Sequence, residues 1–176
     1  VLDRENKIGY ASISKRTDER LFLQWCETMN FKPVSFVSID REQPIYHTNV
    51  LMSICETMVF ICLDAVVEDE KKSELISLFS ETKKQIINIT KDQMHNFLGN
   101  VLQLKNSDNE SFLVMSSTAF NILTDTQKKI ISNTTKILHS PLDTIEYFGG
   151  GSARCMIAEL FLEPNSSFNA KKSLFL

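Results

Sequence analysis

The sequence predicts an α/β fold built from repeated units of β-hairpin arm, helix and strand. Continuous apolar runs of strand length alternate with amphipathic stretches of helical period. The central strands recur about every 50 residues, the spacing of a modular array in which each unit buries a face against the next. Glycine is scarce except for one run, Gly149-Gly150-Gly151, which holds three of the five glycines in the chain. An ordinary alternating α/β domain gives the same local signals, and three units leave closure of the array open.

The first unit opens on Val1-Leu2-Asp3-Arg4, which reads as the end of a strand running into a turn at Arg4-Glu5-Asn6-Lys7. Ile8-Gly9-Tyr10-Ala11-Ser12 follows as a short strand. Asp18 is an N-cap for a helix reaching Met29, with Leu21, Trp25 and Met29 at helical spacing. Val34 to Ile39 is the next strand. In the second unit, Met58 to Leu63 is apolar throughout, as in a strand buried on both faces. Glu68 to Thr82 is amphipathic through Leu75, Ile76, Leu78 and Phe79, and Gln85 to Ile89 returns as a strand. The third unit has a strand at Ser111 to Ser116 and helical stretches at Ala119 to Leu123 and Asp125 to Thr134, the second capped by Thr124. Lys136 to His139 and Thr144 to Phe148 are expected as strands. The run Met156 to Leu162 is expected as a buried strand after the glycines.

Composition narrows the function classes. A chain of 176 residues can bury a real core. Apolar residues make up 43% and charged residues 23%, which is the balance of a soluble globular protein. A net charge of −3 with no basic block argues against nucleic acid or an anionic membrane as partner. No segment reaches the ~18 apolar residues of a membrane span. The opening residues carry neither a signal peptide nor an initiator methionine, so a fragment of a longer cytoplasmic protein is expected. Cys26, Cys55, Cys62 and Cys155 form no C-x-x-C pair and have no histidine at zinc-ligand spacing. Scattered cysteines suit a reducing compartment, and no metal or cofactor is implied. The sequons at Asn88, Asn109, Asn133 and Asn165 read as chance occurrences.

Chemistry concentrates at two places. The stretch Gly149-Gly150-Gly151-Ser152-Ala153-Arg154-Cys155-Met156 puts one thiol behind a turn that lets backbone or ligand come close. It reads as a displayed nucleophile or as an inert thiol on a structural turn. A nucleophilic thiol needs a base or a positive surrounding. Of His47, His95 and His139, His47 is the best partner. It lies in Pro44-Ile45-Tyr46-His47-Thr48-Asn49-Val50-Leu51-Met52, expected as the start of an apolar strand. His47 and Asn49 are two apart, so on a strand both project from one face. A polar pair on a half-exposed strand gives the same pattern.

Together, His47-x-Asn49 and the glycine-rich approach to Cys155 resemble the guanidino-group-modifying superfamily, the amidinotransferase or pentein fold. Its members include arginine and agmatine deiminases, dimethylarginine hydrolases and glycine amidinotransferase. The Gly-Gly-x-x-Arg-Cys-Met stretch is similar to that of arginine deiminases. The longer runs Tyr46 to Val50 and Asp92-Gln93-Met94 through Gly99 to Leu104 look most like the citrulline-utilisation hydrolase branch. The resemblance runs from Val1 to about Leu162.

The resemblance implies a β/α propeller of ββαβ modules with catalytic groups at its centre, about three of five modules lying in this chain. Residues 1–163 would be the C-terminal part of that domain and 164–176 a disordered tail. It implies that Cys155 attacks the central carbon of a guanidino or ureido group, that His47 moves protons, and that a covalent thio-intermediate is hydrolysed. Asn49 would face the substrate. Arg154 would hold a substrate carboxylate or favour the thiolate, though it also reads as an outward-facing strand residue or a member of a structural ion pair. The implied partner is a small guanidino or ureido compound, without nucleic acid or membrane; oligomeric state stays open. Two departures stand out. The usual His-x-Asp is His47-x-Asn49, and an amide suits a neutral ureido group better than a cation. The family's acidic Glu-Gly turn is expected just upstream of the strand ending in Leu2 and is absent from this sequence, with Asp3 and Glu5, as turn residues, poor substitutes. A noncatalytic pentein-fold binding or assembly protein is the alternative. A papain-like hydrolase is disfavoured because His47 and Asn49 precede Cys155.

Overall fold

The computed structural model describes residues 1–159. Three three-stranded sheets of one topology carry the fold. In the first unit, β1 (Leu2–Asp3) and β2 (Ile8–Ser12) pair antiparallel; α1 (Glu19–Met29) then leads to β3 (Lys32–Phe36), which pairs with β2 in parallel. A small hairpin of β4 (Ile39–Asp40) and β5 (Gln43–Pro44) and a single helical turn, α2 (Thr48–Leu51), connect it to the second unit. That unit repeats the scheme with β6 (Met52–Ile54), β7 (Met58–Ile61), α3 (Asp69–Glu81) and β8 (Gln85–Asn88). After α4 (Lys91–His95), the third unit has β9 (Leu102–Lys105), β10 (Ser111–Ser116), α5 (Ser117–Asn121), α6 (Asp125–Ser132) and β11 (Lys136–Ser140). β10 pairs antiparallel with β9 and parallel with β11. The expected hairpin–helix–strand repeat is thus present three times.

Capping and burial explain why these segments fold as they do. Asp18 caps α1 through its carboxylate, which accepts from the Leu21 amide at 2.9 Å. Asn30, with φ 56°, closes the helix in the left-handed region that asparagine tolerates. β7 is buried along its whole length, as its unbroken apolar run predicts. Around it lie Tyr10, Leu51, Met52, Leu75, Phe79 and Met115, which join the three units in one core.

The helical stripe of α1 is turned differently from expectation. Leu21, Trp25 and Met29 are exposed, whereas Cys26 is buried and Phe22 half-buried against β2. Gly9 makes this possible, because a Cβ there would stand 3.1 Å from Cys26 Sγ and 3.2 Å from the Phe22 ring.

Units two and three are locked by a buried amide pair. Thr90 and Thr124 cap α4 and α6 with reciprocal capping boxes through Gln93 and Gln127. The same two glutamines exchange bonds, Gln93 Nε2 donating to Gln127 Oε1 at 2.7 Å and Gln127 Nε2 to Gln93 Oε1 at 3.1 Å. This fixes α4, which lines the cavity described below.

Two further expectations are corrected. Thr144 to Phe148 is not a strand but lies in α7 (Asp143–Gly149). Its β-branched and aromatic residues favour strands weakly. Helical geometry instead buries Glu146, which accepts from Thr118 Oγ1 at 2.7 Å and Ser152 Oγ at 2.6 Å. Met156 is the end of a 3-10 turn, Ala153–Met156, and Ile157 to Glu159 are in no strand. Leu160 to Leu162 of that expected strand, and the 164–176 tail, lie outside the described residues. Among the described residues, no helix is long and apolar enough to cross a membrane.

Candidate active site

His47, Asn49 and Cys155 line one cavity of about 790 Å³. That is the size range of small-molecule sites. Its walls come from four places: the segment from Asp40 to Val50, the end of α4 with Met94 and His95, the link Phe97 to Asn100, and the glycine run before Cys155. Arg16 completes the lining.

His47 and Asn49 do not reach this cavity from a strand. His47 is the N-cap of α2, with extended backbone, and Asn49 is the second residue of that turn. The polar–apolar alternation of this segment reads as a strand in sequence, but tertiary hydrogen bonds impose a turn. Thr48 Oγ1 accepts from the Ser12 amide at 2.9 Å, and the Leu51 carbonyl accepts from the Cys62 amide at 3.0 Å. The Tyr46 ring meets the His47 imidazole edge-on at 4.8 Å and restricts it.

The glycine run does what its composition implies. Gly150, at φ 67°, ends α7 in the left-handed region. A Cβ on Gly151 would lie 3.0 Å from both Cβ and Sγ of Cys155, so only glycine lets the thiol fold back over its own turn. Cys155 is the one exposed cysteine of the four; Cys26, Cys55 and Cys62 are buried. Burial pushes the Cys55 thiol up to about 12 and raises Cys26 and Cys62 as well. Those three are inert core thiols.

Two amides converge on the exposed sulfur. Asn49 Nδ2 lies 3.6 Å from Sγ of Cys155, and Asn100 Nδ2 lies 3.2 Å from it. Sequence alone does not mark Asn100 as functional; its one signal there is its place in the Gly99 to Leu104 run. Gly99 beside it packs so closely that a Cβ would come within 2.3 Å of the Val50 carbonyl oxygen.

Arg154 is not brought to this cavity. In a 3-10 turn successive side chains point about 120° apart. Cys155 therefore faces the His47 cavity while Arg154 lines another, with Asp3, Lys84, Leu102 and Glu159. Asp3 is committed there too, 3.1 Å from the buried Lys84 ammonium and hydrogen-bonded to Asn6. The carboxylate among the described lining residues of the His47 cavity is Asp40, held 2.7 Å from His95 Nε2. No group of described residues gathers the ligands of a metal ion.

The chain resembles known proteins in both its sequence profile and its fold. Comparison with curated proteins gives no match. Among solved structures, the apo form of ArgZ, an arginine dihydrolase from the ornithine-ammonia cycle in cyanobacteria, superposes with a TM-score of 0.69 at 18% identity, covering 89% of this chain and 23% of that one. The N-terminal domain of ArgZ bound to product gives 0.67 at 18% identity, covering 89% and 52%. A variant of that domain covalently bound to a reaction intermediate gives 0.68, again at 18% identity and with coverage of 89% and 52%. This chain thus spans about half the length of the ArgZ N-terminal domain, and these likenesses establish the shared fold. The sequence profile of eukaryotic N,N dimethylarginine dimethylhydrolases matches residues 1–162. The superfamily resemblance therefore holds, and the chain belongs to the eukaryotic N,N-dimethylarginine dimethylhydrolase family of guanidino-modifying proteins.

Proposed function

We propose that the protein is a cysteine-dependent hydrolase of a C–N bond in a small guanidino or ureido compound. The observation that carries this reading is the convergence of His47, Asn49 and the exposed thiol of Cys155 on one cavity. Family membership supports the reaction class, and ArgZ supplies the precedent of an arginine dihydrolase on the same fold.

In this reading the Cys155 sulfur attacks the central carbon of the planar group. The C–N bond to the leaving amine breaks as His47 gives that nitrogen a proton. The carbon stays on sulfur as a thio-intermediate. Neutral His47 then takes a proton from water, the hydroxide adds to the carbon, and the C–S bond breaks to return the thiolate. Asn49 and Asn100 hold the sulfur by donation through both steps. Arg16 offers a cation in the same lining, suited to a carboxylate at the far end of an amino-acid substrate.

A haloacetamidine probe on the whole protein tests the assignment. Selective labelling of Cys155 over Cys26, Cys55 and Cys62, blocked by substrate, is expected. Equal or absent labelling of Cys155 would favour a noncatalytic pentein-fold binding protein instead.

A further inference from the structure

We infer that Asn100 is a catalytic residue and that buried Glu146, acting through Ser152, is the positioning residue that sets it. This rests on Cys155 being the nucleophile. Asn100 is only 4% exposed, and each of its polar side-chain atoms is engaged by the site. Nδ2 donates to Cys155 Sγ at 3.2 Å and to the Asn49 carbonyl at 3.0 Å. Oδ1 accepts from the Ser152 amide at 3.2 Å. Its main-chain carbonyl accepts from the Arg154 amide, also at 3.2 Å. One amide thus ties α2, which carries Asn49 and follows His47, to the turn that carries Cys155.

The acceptor side of Asn100 is fixed in turn from within the protein. Ser152 is fully buried, and its hydroxyl donates to Glu146 Oε1 at 2.6 Å. Glu146 is 8% exposed and its second oxygen accepts from Thr118 Oγ1 at 2.7 Å. A buried carboxylate is retained at a cost unless its oxygens are satisfied. Here both oxygens are satisfied by hydroxyls, and one of those belongs to the residue that orients Asn100. With Oδ1 held by the Ser152 amide, the amide plane cannot flip, and Nδ2 must face the sulfur. A donor locked in place is worth most when the sulfur carries negative charge, before attack and after release. Glu146 lies outside the described lining of the cavity, so its influence runs through Ser152 rather than through the substrate.

Alkylation of Cys155 by iodoacetamide in the whole protein, followed by mass spectrometry of its peptide, tests this, with turnover of citrulline as a second readout. Asn100→Asp keeps the shape, replaces the donor by a carboxylate and repels a thiolate. It should slow alkylation of Cys155 by about tenfold or more, the effect of one hydrogen bond to a charged group. Glu146→Gln should slow it several-fold and lower kcat with KM unchanged, since a role confined to stability would lower the melting temperature alone. Rates within twofold of the parent in both variants would overturn the inference. If Asn100→Asp does not fold, Asn100→Ser, which is too short to reach the sulfur and uncharged, decides by the same tenfold criterion. Failure of the nucleophile assignment looks different: Cys155 of the parent would then alkylate no faster than a free cysteine.

Discussion

Asn49 and Cys155 stand 106 residues apart in the chain, yet their side chains meet at 3.6 Å, Nδ2 to Sγ. The contact joins the two motifs that stand out in the sequence and places both on the cavity that His47 lines. Truncation should therefore separate chemistry from folding. Cys155→Ala removes an exposed group and should leave the melting temperature within a few degrees while turnover falls to background. His47→Ala, losing proton transfer at both steps, should lower kcat by about 10²- to 10⁴-fold. Thermal melts and single-turnover assays on the same preparations check both.

Two glycines near the site should respond in opposite ways. At Gly99 a Cβ would come within 2.3 Å of the main-chain oxygen of Val50, which cannot swing away. Gly99→Ala should destabilise by at least about 1–3 kcal/mol, the usual cost of overpacking. At Gly151 the nearest atoms are Cβ and Sγ of Cys155 itself, both at 3.0 Å. Gly151→Ala should push the thiol off its amide donors, lowering kcat while the melting temperature stays near the parent. Denaturant titration and steady-state kinetics distinguish the two outcomes.

The difference between those glycines also marks what a sequence can convey. The regular units are legible because burial and period coincide there: β7 is apolar along its length and the core-facing residues of α3 recur at helical spacing. The exposed thiol is legible because three glycines ahead of one cysteine supply the tight turn that displays it. The α2 turn is not, since the hydrogen bonds that force it come from Ser12 and Cys62, remote in the chain. Asn100 is hidden for a similar reason. An asparagine after a glycine reads as a turn residue, and only the folded chain brings Ser152 and Cys155 to its amide. Arg154 lines a different cavity from Cys155 because adjacency in sequence is separation in a 3-10 turn.

Buried thiols give the protein an alkaline weakness. Burial pushes Cys55 up to about 12 in the folded chain, against about 9 when exposed. Between those values the unfolded chain has lost a proton that the folded chain retains, so stability falls as pH rises. Each such thiol contributes a slope of up to about 1.4 kcal/mol per pH unit. Well below the exposed value the thiols are protonated in both states and the effect vanishes. Urea midpoints should change little up to about pH 8 and then fall toward about pH 10.5, as the pH enters the lower part of that window. Cys55→Ala should flatten the decline while lowering the starting stability. A midpoint independent of pH over that range would contradict the linkage.

Asn49 should set the charge preference of the site. Its amide offers a donor to the sulfur and keeps an acceptor for a substrate N–H, with no net charge. The neighbouring amide of Asn100 is equally neutral, and the carboxylate among the described lining residues, Asp40, is engaged by His95. A neutral ureido group loses little by leaving water for such a wall, whereas a guanidinium gives up hydration without gaining a counter-ion from these described residues. The parent protein should therefore turn over citrulline with a higher kcat/KM than arginine. Asn49→Asp adds a carboxylate beside the reacting carbon and removes the donor to Cys155. It should raise arginine relative to citrulline by at least about tenfold in kcat/KM, even as both absolute rates fall. Competition between the two substrates, read by mass spectrometry, gives that ratio directly. A parent protein that prefers arginine would sink the charge argument and leave Cys155 and His47 in their roles.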